Sequence, residues 1–146
     1  MYRSNEGEEL RPIPDLGPKP SIIHIDRAAS INQNFRTALF TGKHLQVTLM
    51  SIPVGESIGI ERHDNLDQFI RVERGRAMVM MGYTPNNLRE REQIDEGHAV
   101  IIPAGTWHNI ENIGNSPLKL SSIYAPPQHP FGTVHQTKAD AEAADR

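Results

Sequence analysis

Short β-prone runs recur along the chain at close spacing, and turn signals separate them. Each run is four to eight residues long and rich in apolar or β-branched residues, while the gaps contain glycine, proline or asparagine. The runs are Ser21–Ile25, Phe35–Phe40, Leu45–Ile52, Gln68–Glu73, Arg76–Met81, Ala99–Ile102 and Leu118–Tyr124. Many short strands, with only residues 26–33 suited to a helical turn, predict an all-β domain, either a sandwich or a closed barrel.

The two ends of the chain differ in composition from this middle part. Residues 1–20 are charged and rich in proline, which favours an extended arm that lies outside the barrel. Residues 136–144 suit a short helix, but an isolated helix below ~12–15 residues is marginal in water, so we expect it to fray. We therefore divide the chain into an arm with a first edge strand (1–38), a barrel (39–127) and a capping segment with a frayed tail (128–146).

The overall composition narrows the class of protein. The 146 residues have the size of one ordinary domain. The 15 basic and 18 acidic residues leave a formal charge of −3 without any basic block, which argues against nucleic acid or an anionic membrane as a partner. Because cysteine is absent, any metal must bind nitrogen and oxygen ligands. With no secretory signal at the N-terminus and no apolar run near ~18 residues, we expect a soluble, cytoplasmic protein.

The most specific pattern lies in the second half of the chain. Gly97 is separated by five residues from Pro103-Ala104-Gly105. Two further residues separate Gly105 from His108, and three separate His108 from Asn112. At average residue usage, the two glycines and the proline would meet these offsets by chance about once per 4,000 start sites. The pattern resembles the second motif of the cupin superfamily, G-x5-P-x-G-x2-H-x3-N, at every fixed position.

The run before this turn, Ala99–Ile102, is apolar throughout. We expect it to form a strand that is buried on both faces. The proline and glycine that follow then predict a sharp turn, which aims His108 at the interior of the domain.

A second pattern begins at Gly55. Glu61 follows after five residues, His63 after one more, Gln68 after four more and Gly75 after a further six. This spacing resembles the first cupin motif, G-x5-H-x-H-x3-4-E-x6-G. Two residue types depart from the family pattern, because glutamate replaces the first histidine and glutamine replaces the usual glutamate.

The resemblance implies both a fold and a metal site. The fold is a double-stranded β-helix, or jelly-roll barrel, over about 39–124, and small cupins of this kind are often likened to mannose-6-phosphate isomerases. The site would bind one divalent metal per chain on Glu61, His63, Gln68 and His108. Three histidines and one carboxylate leave a divalent ion with one uncompensated positive charge, and the present ligand set keeps that balance.

Strand alternation alone gives a different placement for two of these residues. Ile58 and Ile60 alternate with Glu61 and His63, and a plain strand would turn the isoleucines inward and the two polar residues into water. Only the resemblance places Glu61 and His63 inside the barrel, toward its open end.

The sequence leaves the fourth ligand and the metal partly open. Asp67 competes with Gln68, since the family allows three or four residues before this position, but the gap to Gly75 fits only Gln68, and strand neighbours face opposite sides. Two histidines with one carboxylate suit iron(II), and a glutamine carbonyl is compatible with manganese. Zinc, cobalt and nickel remain open as well.

Other residues carry weaker signals. We interpret His98 as structural or exposed, and His24 and His44 have no partner in the sequence. Trp107 is either a packing residue or the wall of a ligand pocket.

Residues 124–135 are too rigid and aromatic for a solvated tail. In one interpretation they cross the mouth of the barrel, so that His129 or His135 meets the substrate. In the other they cap the barrel and leave the histidines on the surface.

Function is less constrained than fold. One hypothesis is that the metal acts as a Lewis acid on a small hydroxy, keto or sugar-like substrate, in an isomerase, epimerase or lyase type of reaction. No lysine or arginine stands out in the sequence as a phosphate ligand. A second hypothesis is an iron(II)-dependent dioxygenase, and a third is a non-enzymatic ligand-binding or sensor protein. We also expect a homodimer, in which the arm adds to a partner's sheet edge.

Overall fold

The computed structural model describes residues 13–145. In this range the chain forms two short helices, α1 (Ile25–Ile31) and α2 (Lys138–Ala144), and nine strands. The strands in chain order are β1 (Arg36–Thr41), β2 (Gln46–Ile52), β3 (Asp67–Arg74), β4 (Arg76–Gly82), β5 (Glu90–Asp95), β6 (Ala99–Ile102), β7 (Trp107–Asn112), β8 (Leu118–Ala125) and β9 (Val134–His135).

The strands form two sheets with antiparallel pairing throughout the described residues. One has six strands in the order β6-β3-β8-β2-β1-β9, and the other has three in the order β5-β4-β7. Alternate residues of each strand point between the sheets, as the two-residue period requires, and Ile70, Leu120 and Ile110 are among those in the main core. The all-β, double-stranded β-helix architecture predicted from the sequence is confirmed.

The six-stranded sheet also carries a second, smaller core on its outer face. Leu39 of β1 and Leu49 of β2 contribute to it, together with Ile13 and two alanines of α1. Next to Leu49, Met50 points the opposite way into the main core. The sheet is therefore covered on both faces, by the barrel interior on one side and by the N-terminal segment on the other.

The N-terminal segment differs from the prediction in one respect. Ser21–Ile25 is not a strand: it runs irregularly into α1, and Ile23 and Ile25 pack against the outer core. Their apolar side chains are thus buried without strand pairing. The segment does lie outside the barrel, where the Leu16 amide donates to the Leu39 carbonyl (2.9 Å). The rest of the predicted arm, 1–12, falls outside the described residues.

Three strands were not predicted, and one was misjudged. β5 is almost entirely charged or polar, and β7 and β9 hold buried polar residues, so each forms through pairing with a neighbour and not through an apolar pattern. β6 was expected to be buried on both faces, but it pairs only with β3 and leaves Ile101 69% exposed. It is an edge strand with one buried face.

The two ends of the described chain meet at one carboxylate. Asp15 accepts from the Thr41 amide (2.9 Å) and hydroxyl (2.6 Å) at the end of β1, and also from the Gly132 amide (2.9 Å). Nearby in the chain, the tail forms α2 behind a capping box of Thr137 and Asp140, and Ala141 is buried in the main core. The expected helix is present, and this packing means that it is not isolated.

Asn112, the last residue of the second motif, has a structural role at the end of β7. Its buried side-chain amide donates to the Ile52 and Ser116 carbonyls, and its carbonyl oxygen accepts from the Gly114 amide, each at 2.9 Å. One side chain thus holds the ends of two strands and the turn before β8 together.

We predict that Asn112→Ala lowers the free energy of unfolding by about 2–4 kcal/mol, because three backbone groups lose their partner in a buried place. Urea denaturation followed by circular dichroism measures this loss. Asn115→Ala in the same turn is the matched control, since Asn115 is exposed and should change stability by less than about 0.5 kcal/mol. Equal stability of the two variants would contradict this role.

Candidate metal centre

The turn between β6 and β7 aims His108 into the barrel, as the motif predicts. Gly105 adopts a φ of +84°, which favours glycine, and its amide donates to the His63 carbonyl (2.8 Å). His108 itself is 0% exposed. Its Nδ1 donates to the Thr106 carbonyl (3.0 Å), and this bond orients the ring so that Nε2 faces the interior, where it could bind a metal.

Glu61 reaches the interior through a bulge in the backbone. Residues 57–61 run antiparallel to β7, with bridges that pair Ser57 with Glu111 and Glu61 with His108. Between the two bridges, the segment from Ser57 to Glu61 advances by four residues while β7 advances by only three. The extra residue forms a β-bulge at Gly59, which has a φ of +92°. Since directly opposite residues share a face, the extra residue turns Glu61 to the same side as His108.

The same bulge explains why simple alternation fails here. Ile58 is buried in the main core, but Ile60 is 52% exposed. A plain strand would have turned both isoleucines inward and left Glu61 in water.

Three side chains converge at this point. Glu61 Oε1 lies 3.4 Å from His108 Nε2 and 3.6 Å from His63 Nε2, and one ligand atom from each residue fits within a 4.8 Å group. With metal–ligand bonds of about 2.1 Å, neighbouring ligand atoms stand roughly 3.0–3.4 Å apart. The observed spacing is close to that of ligands that share one ion, and the three residues could hold a metal.

The electrostatics of the group also suit a cation. Burial alone would raise the pKa of Glu61, but the facing His108 and His63 outweigh it and hold that pKa well below its usual range, so the carboxylate is ionised. Both histidine Nε2 atoms are buried without a hydrogen-bond partner. Buried polar atoms are rarely left unsatisfied, and a bound cation would satisfy both.

Gln68 lies at the start of β3 on the same inner face as Ile70 and Val72. Its amide nitrogen donates to the Ser122 hydroxyl (3.0 Å), while its Oε1 is buried and has no partner. This arrangement leaves the carbonyl oxygen available as a ligand. The competing candidate, Asp67, is exposed and accepts from the Ala104 amide (3.0 Å), so it points away from the interior.

The weaker histidine candidates are all away from this site. His98 is exposed beside Asp95, and His24 caps α1 by accepting from the Arg27 amide (3.1 Å). His44 is exposed as well. Trp107 is partly exposed, with the Arg62 guanidinium 4.9 Å from its ring centre.

The segment after β8 passes the start of β2 and brings His129 inward. Buried Gln46 holds it by accepting from the amides of Gln128 and His129 and donating to the His129 carbonyl. The His129 ring lies 5.3 Å from Tyr124, and Tyr124 lies 5.8 Å from His63, centre to centre. His129 is therefore partly buried and not a free surface histidine, and its contact with a substrate stays a prediction.

Sequence reasoning missed several polar residues of the interior. Arg36, Thr48, Ser122 and Tyr124 stand at inward positions of β1, β2 and β8, interspersed with core residues. The available signal was the presence of polar side chains at inward positions of otherwise apolar strands. That signal becomes visible only once the strand register is known.

The sequence was compared with known proteins after this geometry had been described. The sequence model of the cupin domain matches residues 48–124. The chain belongs to the cupin family. Among residues 13–145 of this cupin, no helix has the length and apolar character needed to cross a membrane.

Similar proteins agree with this assignment. The uncharacterized protein YrkC of Bacillus subtilis (strain 168) is 58% identical over 153 aligned residues, which cover 99% of this chain and 82% of YrkC. The crystal structure of BH2720 from Bacillus halodurans shares 59% identity and a TM-score of 0.89, covering 90% of this chain and 99% of BH2720. A Klebsiella pneumoniae protein with a double-stranded β-helix domain (TM-score 0.62, 20% identity, covering 82% and 100%) shows the fold alone.

We predict that this cupin, purified in its native form, carries about one transition-metal ion per chain and that His108→Ala removes most of it. The reason is that the buried Nε2 of His108 has no other partner. Elemental analysis by mass spectrometry measures the content. His98→Ala is the matched control, because His98 is exposed and distant from the group, and it should keep the full amount. Full metal content in the His108 variant would contradict the site.

Proposed function

We propose that this cupin is an enzyme that binds one divalent metal and acts on a small hydroxy, keto or sugar-like substrate, in an isomerase, epimerase or lyase type of reaction. The ligands in this proposal are Glu61, His63, Gln68 and His108. The observation that carries it is the convergence of an ionised carboxylate and two unpartnered imidazole nitrogens in the barrel. A bound divalent metal would supply Lewis-acid polarisation of a carbonyl or hydroxyl oxygen.

The chain's own residues support such a role in three ways. Ser122 orients the Gln68 amide, and the Thr106 carbonyl fixes the tautomer of His108, so both groups are set in place before any ligand arrives. The Glu61 side chain is 28% exposed, so the site is open to small molecules. Burial raises the pKa of the Tyr124 hydroxyl, which therefore stays protonated, and the Tyr124 ring packs against the ring of His63.

A dioxygenase is the second candidate. Two histidine nitrogens and one carboxylate are the ligand set of many iron(II) enzymes that activate oxygen, and His63, His108 and Glu61 offer that set. A non-enzymatic sensor or ligand-binding protein is the third. It would be favoured if four protein ligands closed the metal off, because catalytic sites keep a coordination position open.

The homodimer also remains a proposal. Ile13 and Leu16 pack on their own chain through the outer core. The edges of β5 and β6 are further positions at which a second copy could pair, since each strand is hydrogen-bonded on one side only.

We predict that Glu61→Gln weakens manganese binding by roughly tenfold or more, since it removes the only carboxylate of the proposed ligand set. Gln68→Glu in the same chain should recover much of the affinity by restoring the charge at a neighbouring ligand position. Calorimetric titration of the native protein, both single variants and the double variant with manganese and iron(II) measures the four affinities.

Asp67→Asn is the matched control for these substitutions, because Asp67 is exposed beside Gln68 and should leave metal affinity unchanged. A silent Glu61→Gln, combined with tighter binding by Gln68→Glu alone, would remove Glu61 from the ligand set. It would also remove the argument for oxygen chemistry, which needs the carboxylate.

We further expect that a screen of small hydroxy and keto compounds with the metal-loaded protein finds turnover that is independent of oxygen. An oxygen electrode combined with product analysis, with and without air, measures this directly. Oxygen uptake that depends on substrate and is lost in His108→Ala would favour the dioxygenase instead. No turnover together with a closed coordination shell in a metal-bound crystal structure would favour the non-enzymatic candidate.

A further inference from the structure

A second group of unpartnered polar atoms lies in the same barrel. Among the described residues, six buried side-chain atoms have no hydrogen-bond partner. Three belong to the candidate metal ligands, and the others are Arg36 Nε, Thr48 Oγ1 and His129 Nε2. The second three are neighbours of the metal ligands, because the ring of Tyr124 contacts both His63 (5.8 Å, centre to centre) and His129 (5.3 Å).

Strand register places Arg36 in the interior. It lies opposite Met50, which is in the main core, and Ala38 and Thr48 form the next inward pair on β1 and β2. Arg36 is 4% exposed. One guanidinium nitrogen, Nη1, lies 3.2 Å from His135 Nδ1, and His135 lies 6.0 Å from His129, ring centre to ring centre. Arg36 and the histidines thus form one continuous cluster.

Arg36 has no ion-pair partner in the described part of the chain, and the charge of Glu61 reaches only its neighbours Tyr124 and His129. None of the ion pairs there involves Arg36. Its neighbours are neutral at ordinary pH, because burial and the nearby guanidinium lower the pKa of His129 to about 3 and also lower that of His135. A buried cation that lacks a negative partner is costly, so its retention indicates that a ligand supplies the charge.

We propose that Arg36, Thr48 and His129 bind a carboxylate group of the substrate inside the barrel, which makes the substrate a small hydroxy or keto acid. This inference rests on the proposed function, because it assigns the substrate class of the same site. One carboxylate matches the single charge of Arg36, and its two oxygens can accept from the guanidinium, the hydroxyl and a ring N–H. In the metal-free protein, a phosphate dianion at this place would leave one negative charge uncompensated.

The proposed carboxylate site is a neighbour of the metal ligands. Two ring contacts, from His63 to Tyr124 (5.8 Å) and from Tyr124 to His129 (5.3 Å), link the two groups. In this proposal the carboxylate of the substrate lies at Arg36, and its hydroxyl or keto oxygen is directed toward Glu61 and His63. With a divalent ion bound, the interior carries a net charge of about +2, which attracts anions.

The test is calorimetric titration of the full-length protein with glycolate, ethylene glycol and inorganic phosphate. Each titration is carried out on metal-free and on manganese-loaded protein. We expect glycolate to bind in both forms, and both phosphate and neutral ethylene glycol to bind more weakly. Arg36→Met should weaken glycolate binding by about tenfold or more in both forms while manganese still binds. Arg36→Lys should keep part of the affinity, because it keeps the positive charge but loses the planar guanidinium group that can donate two hydrogen bonds to one carboxylate.

Arg91→Met on the exposed edge strand β5 is the matched control and should bind glycolate as the native protein does. Unchanged glycolate binding in Arg36→Met, or equal binding of glycolate and ethylene glycol by the native protein, would overturn the inference. Tighter binding of phosphate than of glycolate would overturn the carboxylate assignment. If Arg36→Met fails to fold, as a thermal melt would show, Arg36→Lys and the three native titrations decide the question.

The same experiment separates this inference from the proposed function. Glycolate binding that depends on Arg36 in a protein without manganese affinity would support the carboxylate site and contradict the metal centre. Manganese binding without glycolate binding would support the metal centre and contradict the carboxylate site.

Discussion

The interior of this cupin depends on the backbone pairing between Glu61 and His108. Each residue donates its amide to the carbonyl of the other, at 3.0 Å in both directions. Because of the extra residue at Gly59, this pairing sets both side chains on the inner face of the barrel. A carboxylate and an imidazole are thereby held together by main-chain bonds, and their approach does not depend on flexible side chains alone.

The sequence predicted the parts of the site that short-range patterns encode. Gly97 lies in the turn before β6 and Gly105 in the turn that follows it, and both adopt the positive φ that favours glycine. Strand alternation could not predict the inward position of Glu61, because one extra residue reverses the side on which a side chain lies. Only the resemblance to the cupin motif predicted that Glu61 faces the interior. Arg36 carried no signal at all, since its environment is made by β2, β8 and β9, which are distant in the chain.

The fold class was predicted more fully than its elements. Runs with strong apolar character became strands, within one or two residues of their expected ends, apart from Ser21–Ile25. The strand prediction was wrong there because Ile23 and Ile25 pack against a sheet face without joining a sheet, while Ile22 is exposed. β5 shows the opposite error, because no strand was predicted there. Its mostly charged residues form a strand through hydrogen bonds to β4 alone. Tertiary context outweighs local propensity in both cases.

The carboxylate of Asp15 binds a segment that the ribosome synthesises much later than Asp15 itself. Its bond to Gly132 spans 117 positions, and the segment just beyond Gly132 supplies β9 and α2. On the ribosome, a nascent chain that has already emerged as far as β8 still lacks His129 and His135. Until those two histidines have emerged, the guanidinium of Arg36 lacks its neutral neighbours and remains in water. The segment that carries His129 and His135 thus determines when Arg36 becomes buried.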